Sequence, residues 1–225
     1  MLELGYNQCA DEPCLFYRIG NGVYSIMAIV VDDMIVASNN PKLNVELYTM
    51  LCQKFRVKDL GFPEYVLGMH VQRLTKHHIK LSQKLYIQKM ADKYLETKFK
   101  TYTPMLSAEK LTADMCGSKT GSIDKPYRNL IGALLYVVLT RPDIAVAVSI
   151  LAQFSEDPGI KHWEAAQRLL RYLSTTADLC LDFKPALNMK VIELKGNVDA
   201  GFDSCPTTSR SRTGYYLSLC GCLLL

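Results

Sequence analysis

The chain has 225 residues, of which 49% are hydrophobic and 21% are charged, a balance typical of a folded globular protein and not of a disordered or fibrous one. A net charge of +4 at pH 7 permits nucleic-acid binding but does not argue for it, since an ordinary soluble protein with a few extra lysines has the same charge. The N-terminus lacks the pattern of a signal peptide, and no apolar run is long enough to span a bilayer, so we expect an intracellular protein, cytoplasmic or nuclear, that does not bind membranes.

The eight cysteines are scattered along the chain and do not show the spacing of a zinc site. Because no signal peptide accompanies them, we expect reduced thiols, which excludes a secreted disulfide scaffold.

The first predicted elements are short strands. Residues 14–19 are followed by the turn signal Gly20-Asn21-Gly22, by a second apolar strand over 23–31 and by a third over 34–37. Hairpin connections of this kind predict an antiparallel sheet of about three strands.

Asp32 and Asp33 form the predicted connection between the second and third strands, inside apolar surroundings where an unpartnered charge is costly. One interpretation is an exposed turn, since Asp is a good turn residue. However, two-residue hairpin loops favour Asn-Gly or Asp-Gly, because they require positive φ. The other interpretation is a pair of carboxylates held on a rigid hairpin to bind a divalent metal ion at a phosphoryl-transfer site. The residues themselves leave both interpretations open.

A helix and a second hairpin follow. Asn40-Pro41 has the residue types of a helix cap and first turn, and the apolar residues after it have helical spacing. Beyond the break at Gly61-Phe62-Pro63, the pattern predicts one strand over 65–73 and its partner over 79–81.

The next helix, predicted over 83–95, carries Lys84, Lys89 and Lys93. These lysines can contact a phosphate backbone, and a solvated helix face is the other interpretation. The segment 102–125 is rich in Thr, Ser, Gly and Lys without periodicity, and we predict a linker there.

Three amphipathic helices are predicted after this segment, over 127–138, from Arg141-Pro142-Asp143 onwards, and over 162–174. Arg168 and Arg171 lie on the third of them. They are candidates for contact with a nucleic acid, and ordinary surface ion pairing explains them equally well.

Short strands close the sequence, over 179–183, 191–194, 197–202 and 215–220. The third of them delivers a carboxylate, Asp199. In isolation such a residue is most often part of a turn.

An ordered series of motifs over nearly the whole chain resembles the Pol polyproteins of Ty1/copia-type retrotransposons. The hairpin around Asp32 and Asp33 resembles the palm hairpin of reverse transcriptases, in which an aromatic residue, a valine and two aspartates close the polymerase site. The other motifs are Asp59-Leu60-Gly61 with Tyr65-Val66-Leu67-Gly68-Met69, Leu81-Ser82-Gln83 with Tyr86-Ile87, Tyr127-Arg128 with Ile131-Gly132, Thr140-Arg141-Pro142-Asp143-Ile144, His162-Trp163 with Arg168 and Arg171-Tyr172-Leu173, and Asp199-Ala200 with Thr213-Gly214-Tyr215.

The resemblance implies an α+β fold with an antiparallel palm-like sheet and packed helices, a helical thumb and connection region, and a partial RNase H-like β segment. It divides the chain into a partial palm with its following helix (1–101), a linker (102–125), the helical thumb and connection (126–176) and the truncated start of an RNase H-like domain (177–225).

The resemblance also implies the site chemistry. Asp32 and Asp33 would be catalytic ligands for Mg²⁺, or Mn²⁺, in two-metal nucleotidyl transfer, and Asp199 would be the first catalytic metal ligand of RNase H. The hairpin that begins at Tyr65 would support the primer end. The partners would be an RNA template, a DNA primer or an RNA/DNA hybrid, and the remaining Pol polyprotein segments. Basic residues of two helices would bind the nucleic acid: Lys84, Lys89, Lys93, Arg168 and Arg171.

The sequence departs from the family pattern at several positions. Val30 replaces the aromatic residue of the hairpin, and Gly201 and Phe202 replace a second Asp and a Trp. The upstream Asp and fingers of a reverse transcriptase, and most of the acidic residues of RNase H, are not found in this sequence. We therefore expect a polyprotein segment that does not polymerise in isolation. The alternatives are a domesticated, non-catalytic nucleic-acid-binding module and a decayed transposon relic.

Overall fold

The computed structural model describes residues 1–106, 110–184, 192–201 and 210–224. It combines helices with antiparallel sheets, which confirms the predicted α+β class. The chain forms two compact units, Met1–Phe62 and Pro63–Leu225. Within the described ranges, no helix has the length and apolar character needed to cross a membrane.

The first unit contains a four-stranded antiparallel sheet. Its strands, in order across the sheet, are β1 (Asn7–Gln8), β2 (Leu15–Gly20), β3 (Val23–Val30) and β4 (Asp33–Ser38). Alternate residues of β3 face the core, where Met27 is buried together with Tyr6 and Leu47. The prediction of about three strands missed β1, because two residues are too short to carry a periodic pattern.

Helix α1 (Pro41–Lys54) completes the first unit and begins as predicted. The side chain of Asn40 accepts a hydrogen bond of 3.1 Å from the backbone amide of Lys42, which satisfies one of the free donors of the first turn. Leu43 and Leu47 are buried one turn apart, so they lie on the face of the helix that packs against the rest of the unit.

The second unit begins with three antiparallel strands, β5 (Tyr65–Val66), β6 (Met69–Thr75) and β7 (His78–Ser82). The prediction of one strand over 65–73 is wrong, because the chain reverses at Leu67-Gly68, where φ is +50° and +76°. The apolar pattern continues through these two residues, and a periodicity argument therefore overlooks the turn.

The helices of the second unit surround one core. In the described residues they are α2 (Lys84–Tyr94), α3 (Gly117–Thr120), α4 (Tyr127–Val137), α5 (Ala145–Ala152) and α6 (Ile160–Thr175). Leucines at helical spacing on α4, α5 and α6 are fully buried: Leu130, Leu134, Leu151, Leu169, Leu170 and Leu173. On α2, Leu85 is exposed, whereas Tyr86 packs against the core.

The segment predicted as a linker contributes to this core. Leu111 is buried among the helices, and α3 lies within the same segment. The segment boundaries that the resemblance implies stay predictions about how a longer polyprotein is divided.

The chain after α6 forms further strands. β8 (Leu181–Phe183) pairs with β7, while β9 (Leu194–Gly201), β10 (Arg212–Leu219) and β11 (Cys222–Leu223) form a separate sheet. Of the strands predicted over 191–194 and 197–202, the first contributes only Leu194 to β9, and the second lies within β9 as far as Gly201. Val191 and Phe202 lie outside the described residues. The seven cysteines in the described residues are free thiols, as predicted.

Candidate metal and nucleic-acid sites

The acidic hairpin tip is defined by the register of β3 and β4. Val30 pairs with Asp33, so the two-residue loop is Val31-Asp32 and Asp33 is the first residue of β4. The prediction that Asp32 and Asp33 together form the loop is therefore wrong by one residue. The observed register places Met27 opposite Val36 on the core face. Burial of these two side chains is the physical reason for this register.

Val31 is conformationally strained. Its φ is +53°, a region that β-branched residues rarely adopt, and its side chain is 91% exposed, so packing does not explain the residue. A two-residue loop with positive φ at its first position normally has Gly there. Strain of this kind costs about 1–3 kcal/mol and clusters at functional sites, which favours a functional hypothesis for the tip.

Asp33 faces away from the core. Cross-strand partners share one face of a sheet, and Asp33 pairs with Val30, while Met34 and Val36 on the other face pack against the core. Asp32 and Asp33 are both exposed. In the part of the chain that the structure describes, neither carboxylate has a hydrogen-bond or ion-pair partner. Both carboxylates are therefore available to a ligand.

The donor set at the tip fits part of a magnesium site. Mg²⁺ is commonly held by one or two carboxylates together with water and substrate phosphates. Over the described residues, no group of three His, Cys, Asp or Glu side chains is placed to hold a metal ion. Two carboxylates are only part of the ligand set of a two-metal site, which requires further ligands.

The three lysines predicted to bind nucleic acid lie on α2 in different environments. Lys84 donates to Asp178 at 2.6 Å, an exposed ion pair that contributes little to stability. The ammonium of Lys93 lies 4.9 Å from the ring centroid of Tyr94. Lys89 is exposed. The lysines therefore do not form one uniform stripe of free charge.

Arg168 and Arg171 lie together on α6 and contact the segment that follows α2. Arg168 Nη2 donates to Thr103 Oγ1 at 2.6 Å, and Arg171 Nη1 donates to Thr97 Oγ1 at 3.2 Å. The Arg171 guanidinium also lies 4.1 Å from the ring centroid of Phe99. The sequence signal for this contact is a Thr or Phe at every odd position from 97 to 103, since residues two apart share a face when a segment is extended.

The two arginines lack a neighbouring counter-ion in the described part of the chain. Among the residues with described positions, neither is paired with a carboxylate, and the Nε atom of each is buried without a hydrogen-bond partner. Burial, and then the charge of Arg168, lowers the pKa of Arg171 below its ordinary value. Two neighbouring cations without a counter-ion favour an anionic ligand such as phosphate.

Asp199 lies on β9, opposite Gly214 on β10. It is exposed, and its Oδ1 accepts a hydrogen bond of 2.9 Å from the Ala200 amide. The register places Asp199 on the same face as Asn197 and Tyr216, while Val198 and Tyr215 lie on the other face. In the described residues, Asp199 does not join two further metal-ligating side chains.

Sequence reasoning missed a buried ionic network around Arg141, whose side chain is only 2% exposed. Arg141 donates to both carboxylate oxygens of Asp143, at 2.9 and 2.8 Å. It also donates to Thr176, the residue directly after α6. Tyr172 donates to Asp143 at 2.7 Å. Burial would raise the pKa of Asp143, but the hydrogen bonds from Arg141 and Tyr172 hold that pKa below its ordinary value. The network joins residues more than 30 positions apart, so local sequence patterns cannot reveal it.

Comparisons with known proteins show what the chain resembles. A family model described as reverse transcriptase (RNA-dependent DNA polymerase) matches residues 1–107. The chain is 34% identical over 224 residues to the retrovirus-related Pol polyprotein from transposon TNT 1-94 of Nicotiana tabacum, covering 96% of this chain and 17% of that protein. It is 31% identical over 221 residues to the putative transposon Ty5-1 protein of Saccharomyces cerevisiae, covering 97% of this chain and 70% of that protein.

A further relative is the retrovirus-related Pol polyprotein from transposon RE1 of Arabidopsis thaliana, 33% identical over 177 residues, which cover 78% of this chain and 12% of that protein. The chain thus spans 17% and 12% of the two Pol polyproteins. No solved structure matches it.

Proposed function

This chain belongs to the copia-type retrotransposon reverse transcriptase family, and from that premise we propose that it supplies the metal-binding hairpin of an RNA-directed DNA polymerase. The observation that carries the proposal is the tip itself, where two adjacent carboxylates are exposed, unpartnered and next to a strained valine. A hairpin selected only for folding would have Gly at Val31 and would not need two acidic residues.

The proposed ligand of Asp32 and Asp33 is Mg²⁺, with Mn²⁺ as a substitute. When bound, the metal would stabilise the charge that develops during nucleotidyl transfer and lower the pKa of the attacking hydroxyl. The role of this chain is to hold two anionic oxygens on a paired ribbon, so that the ion is positioned without reordering the backbone.

The remaining ligand of a two-metal site would come from another segment of the polyprotein. Among the described strands, β4 is an edge strand that pairs only with β3, and an edge strand is able to pair with a further strand. A strand that pairs along this edge can bring a carboxylate beside Asp33, which is the first residue of β4. We therefore expect the isolated chain to bind a metal ion and not to polymerise.

The second unit would supply nucleic-acid contacts. Arg168 and Arg171 lack carboxylate partners within the described residues, which suits them to the phosphates of an RNA/DNA hybrid. Lys89 and Lys93 would add weaker contacts, and Lys84 would have to exchange Asp178 for a phosphate. The hairpin of β5 and β6 would support the primer end. Asp199 would be the first metal ligand of an RNase H-like domain.

Primer extension tests the proposal. A longer polyprotein segment that contains this chain should extend a primer on an RNA template with Mg²⁺ or Mn²⁺, and Asp33→Asn should lower the rate by about 100-fold or more. Asp11→Asn changes another exposed aspartate of the same unit and should leave the rate unchanged. Equal rates for Asp33→Asn and the unaltered protein would refute the metal role.

A second candidate function is nucleic-acid binding without catalysis, favoured by the two arginines. The isolated chain should then bind an RNA/DNA hybrid with an affinity that falls steeply with salt. The double change of Arg168 and Arg171 to Gln should reduce both the affinity and the salt dependence. Absence of binding at low salt would exclude this function.

A further inference from the structure

The turn between β5 and β6 is exposed and strained. Leu67 has a φ of +50°, which is uncommon for a residue with a side chain, and 54% of Leu67 and 53% of Tyr65 are exposed. Exposed aromatic and apolar side chains at a hairpin end suit the stacking of a base or sugar. A strained turn keeps its shape only where neighbouring groups fix it.

Tyr136 on α4 is the group that fixes this turn. Its hydroxyl donates a hydrogen bond to the carbonyl oxygen of Leu67, across 69 positions of sequence. A Cβ atom at position 68 would lie 2.8 Å from the same hydroxyl, so Gly68 permits the close approach. The turn and the tyrosine are therefore fitted to each other.

Tyr136 is itself anchored in the helical core. Its ring meets that of Tyr86 edge to face, with centroids 5.0 Å apart. Its carbonyl oxygen accepts from Gln83 Nε2 at 3.3 Å, and Gln83 Oε1 accepts from Thr140 at 2.7 Å. Gln83 and Thr140 are both buried. A continuous set of contacts thus joins the exposed turn to a rigid part of the second unit.

The hydrogen bond positions the turn more than it stabilises the fold. The accepting carbonyl belongs to an exposed turn, so water can replace the hydroxyl at little expense in folding free energy. Tyr127 on the same helix is the contrasting case, because its buried hydroxyl donates to the Leu151 carbonyl at 2.8 Å and ties α4 to α5. Loss of that second bond would leave a buried group without a partner.

We infer that Tyr136 is a positioning residue for a primer-binding turn: it holds Leu67 and Gly68 so that the exposed tip of the β5–β6 hairpin contacts the terminal nucleotides of a primer strand. This inference rests on the proposed function of the second unit. It adds a residue of α4 to the nucleic-acid interface, although Tyr136 itself does not touch the ligand.

The test compares Tyr136→Phe with Tyr127→Phe in the full chain. The probes are a labelled DNA primer annealed to a longer RNA template, with a recessed primer terminus, and a blunt hybrid of the same primer. Fluorescence anisotropy gives the ratio of the two affinities for each protein. We expect the unaltered chain to prefer the recessed terminus and Tyr136→Phe to lower this preference by about three- to tenfold, because the turn is no longer held in the shape that contacts the primer. Tyr127→Phe should keep the preference and lower the melting temperature more.

Gly68→Ala provides a second variant that does not depend on the hydroxyl deletion. Its Cβ should displace the turn and lower the same preference, and the double variant with Tyr136→Phe should show less than the sum of the two effects. An unchanged preference in Tyr136→Phe would overturn the inference alone. Equal affinity of the unaltered chain for both probes would also overturn it but would leave nucleic-acid binding intact. No binding to either probe would overturn both this inference and the proposed nucleic-acid contacts.

Discussion

The helical core of the second unit and the hairpin tip of the first unit differ in whether their charged side chains have partners within the chain. In the core, Arg141 is buried and Asp143 is partly exposed, and the two residues make hydrogen bonds to each other, to Tyr172 and to Thr176. At the tip, Asp32 and Asp33 are exposed and lack a partner among the residues that the structure describes. The charged groups of the core network have their hydrogen-bond partners within the chain, whereas the two carboxylates at the tip are available to an external ligand.

This difference distinguishes two roles of ionic residues, namely stability of the fold and binding of a ligand. A satisfied buried network fixes one arrangement of helices, and its loss is felt as lost stability. Unpartnered exposed carboxylates contribute little to stability, and their loss should be felt as lost binding. Each of the following changes tests one side of that contrast.

The largest effect on stability is expected for Arg141→Met. Asp143 would keep its charge without its ion partner, and the free energy of unfolding should fall by about 3 kcal/mol, the lower end for a broken buried pair, because Asp143 keeps partial access to water. Urea denaturation measures the change. Lys84→Met removes an exposed partner of Asp178 in the same unit and should change stability by less than about 1 kcal/mol. Equal losses of unfolding free energy in the two variants would show that the buried pair stabilises the fold no more than the exposed pair does.

His162 makes the core sensitive to acid. It is fully buried and stacks on Phe154 with ring centroids 3.9 Å apart, and its Nδ1 accepts from the Gly159 amide at 3.0 Å. Burial lowers the pKa of His162, and the Thr112 carbonyl and the Asp157 charge oppose this effect without cancelling it.

The unfolded chain therefore takes up a proton on His162 before the folded chain does. The stability contributed by the neutral ring should be complete above about pH 6.5 and fall as the pH drops toward the folded-state pKa, by at most about 1.4 kcal/mol per pH unit. Denaturation at several pH values should show this slope. The slope should disappear in His162→Asn and persist in His77→Asn, whose histidine is exposed. A slope that survives His162→Asn would assign it to another group.

The smallest effect is expected at the tip. Val31→Gly should raise the free energy of unfolding by about 1 kcal/mol, since relief of strain at positive φ exceeds the added freedom of the unfolded chain. Val45→Gly, at an exposed position of α1, should instead lower it by about 1 kcal/mol, because Gly is unfavourable inside a helix. Thermal unfolding distinguishes the two signs, and a loss at Val31 would show that the turn is not strained.

The sequence predicted the elements whose pattern is imposed by burial. The apolar residues of α4 and α6 recur at three and four positions because one face packs in a dry core, and both helices lie where the pattern placed them. The turn at Leu67-Gly68 was missed, and the turn at Val31-Asp32 was predicted one residue too late, because an apolar residue occupies the first position of each turn, where Gly or Asn is usual. The Arg141 network and the contact of Tyr136 with Leu67 join distant positions, which no local period encodes.

The site residues divide in the same manner. The family motifs identified Asp32 and Asp33, and their exposure agrees with a ligand-binding role that stays a prediction. The same reasoning did not predict that Arg171 stacks on Phe99, because Phe99 lies outside the helices, in the segment that follows α2. Cationic residues in a sequence indicate charge, and only their packing shows whether the charge is free.

Metal binding by the isolated chain tests the central proposal most directly. Paramagnetic Mn²⁺ added at low stoichiometry should broaden the amide NMR signals of residues 31–34 first, and excess Mg²⁺ should restore them. The same titration of the variant with both Asp32→Asn and Asp33→Asn should leave those signals sharp. Broadening that is absent from the tip, or that is unchanged in the double variant, would contradict the proposal that these two carboxylates hold a divalent ion.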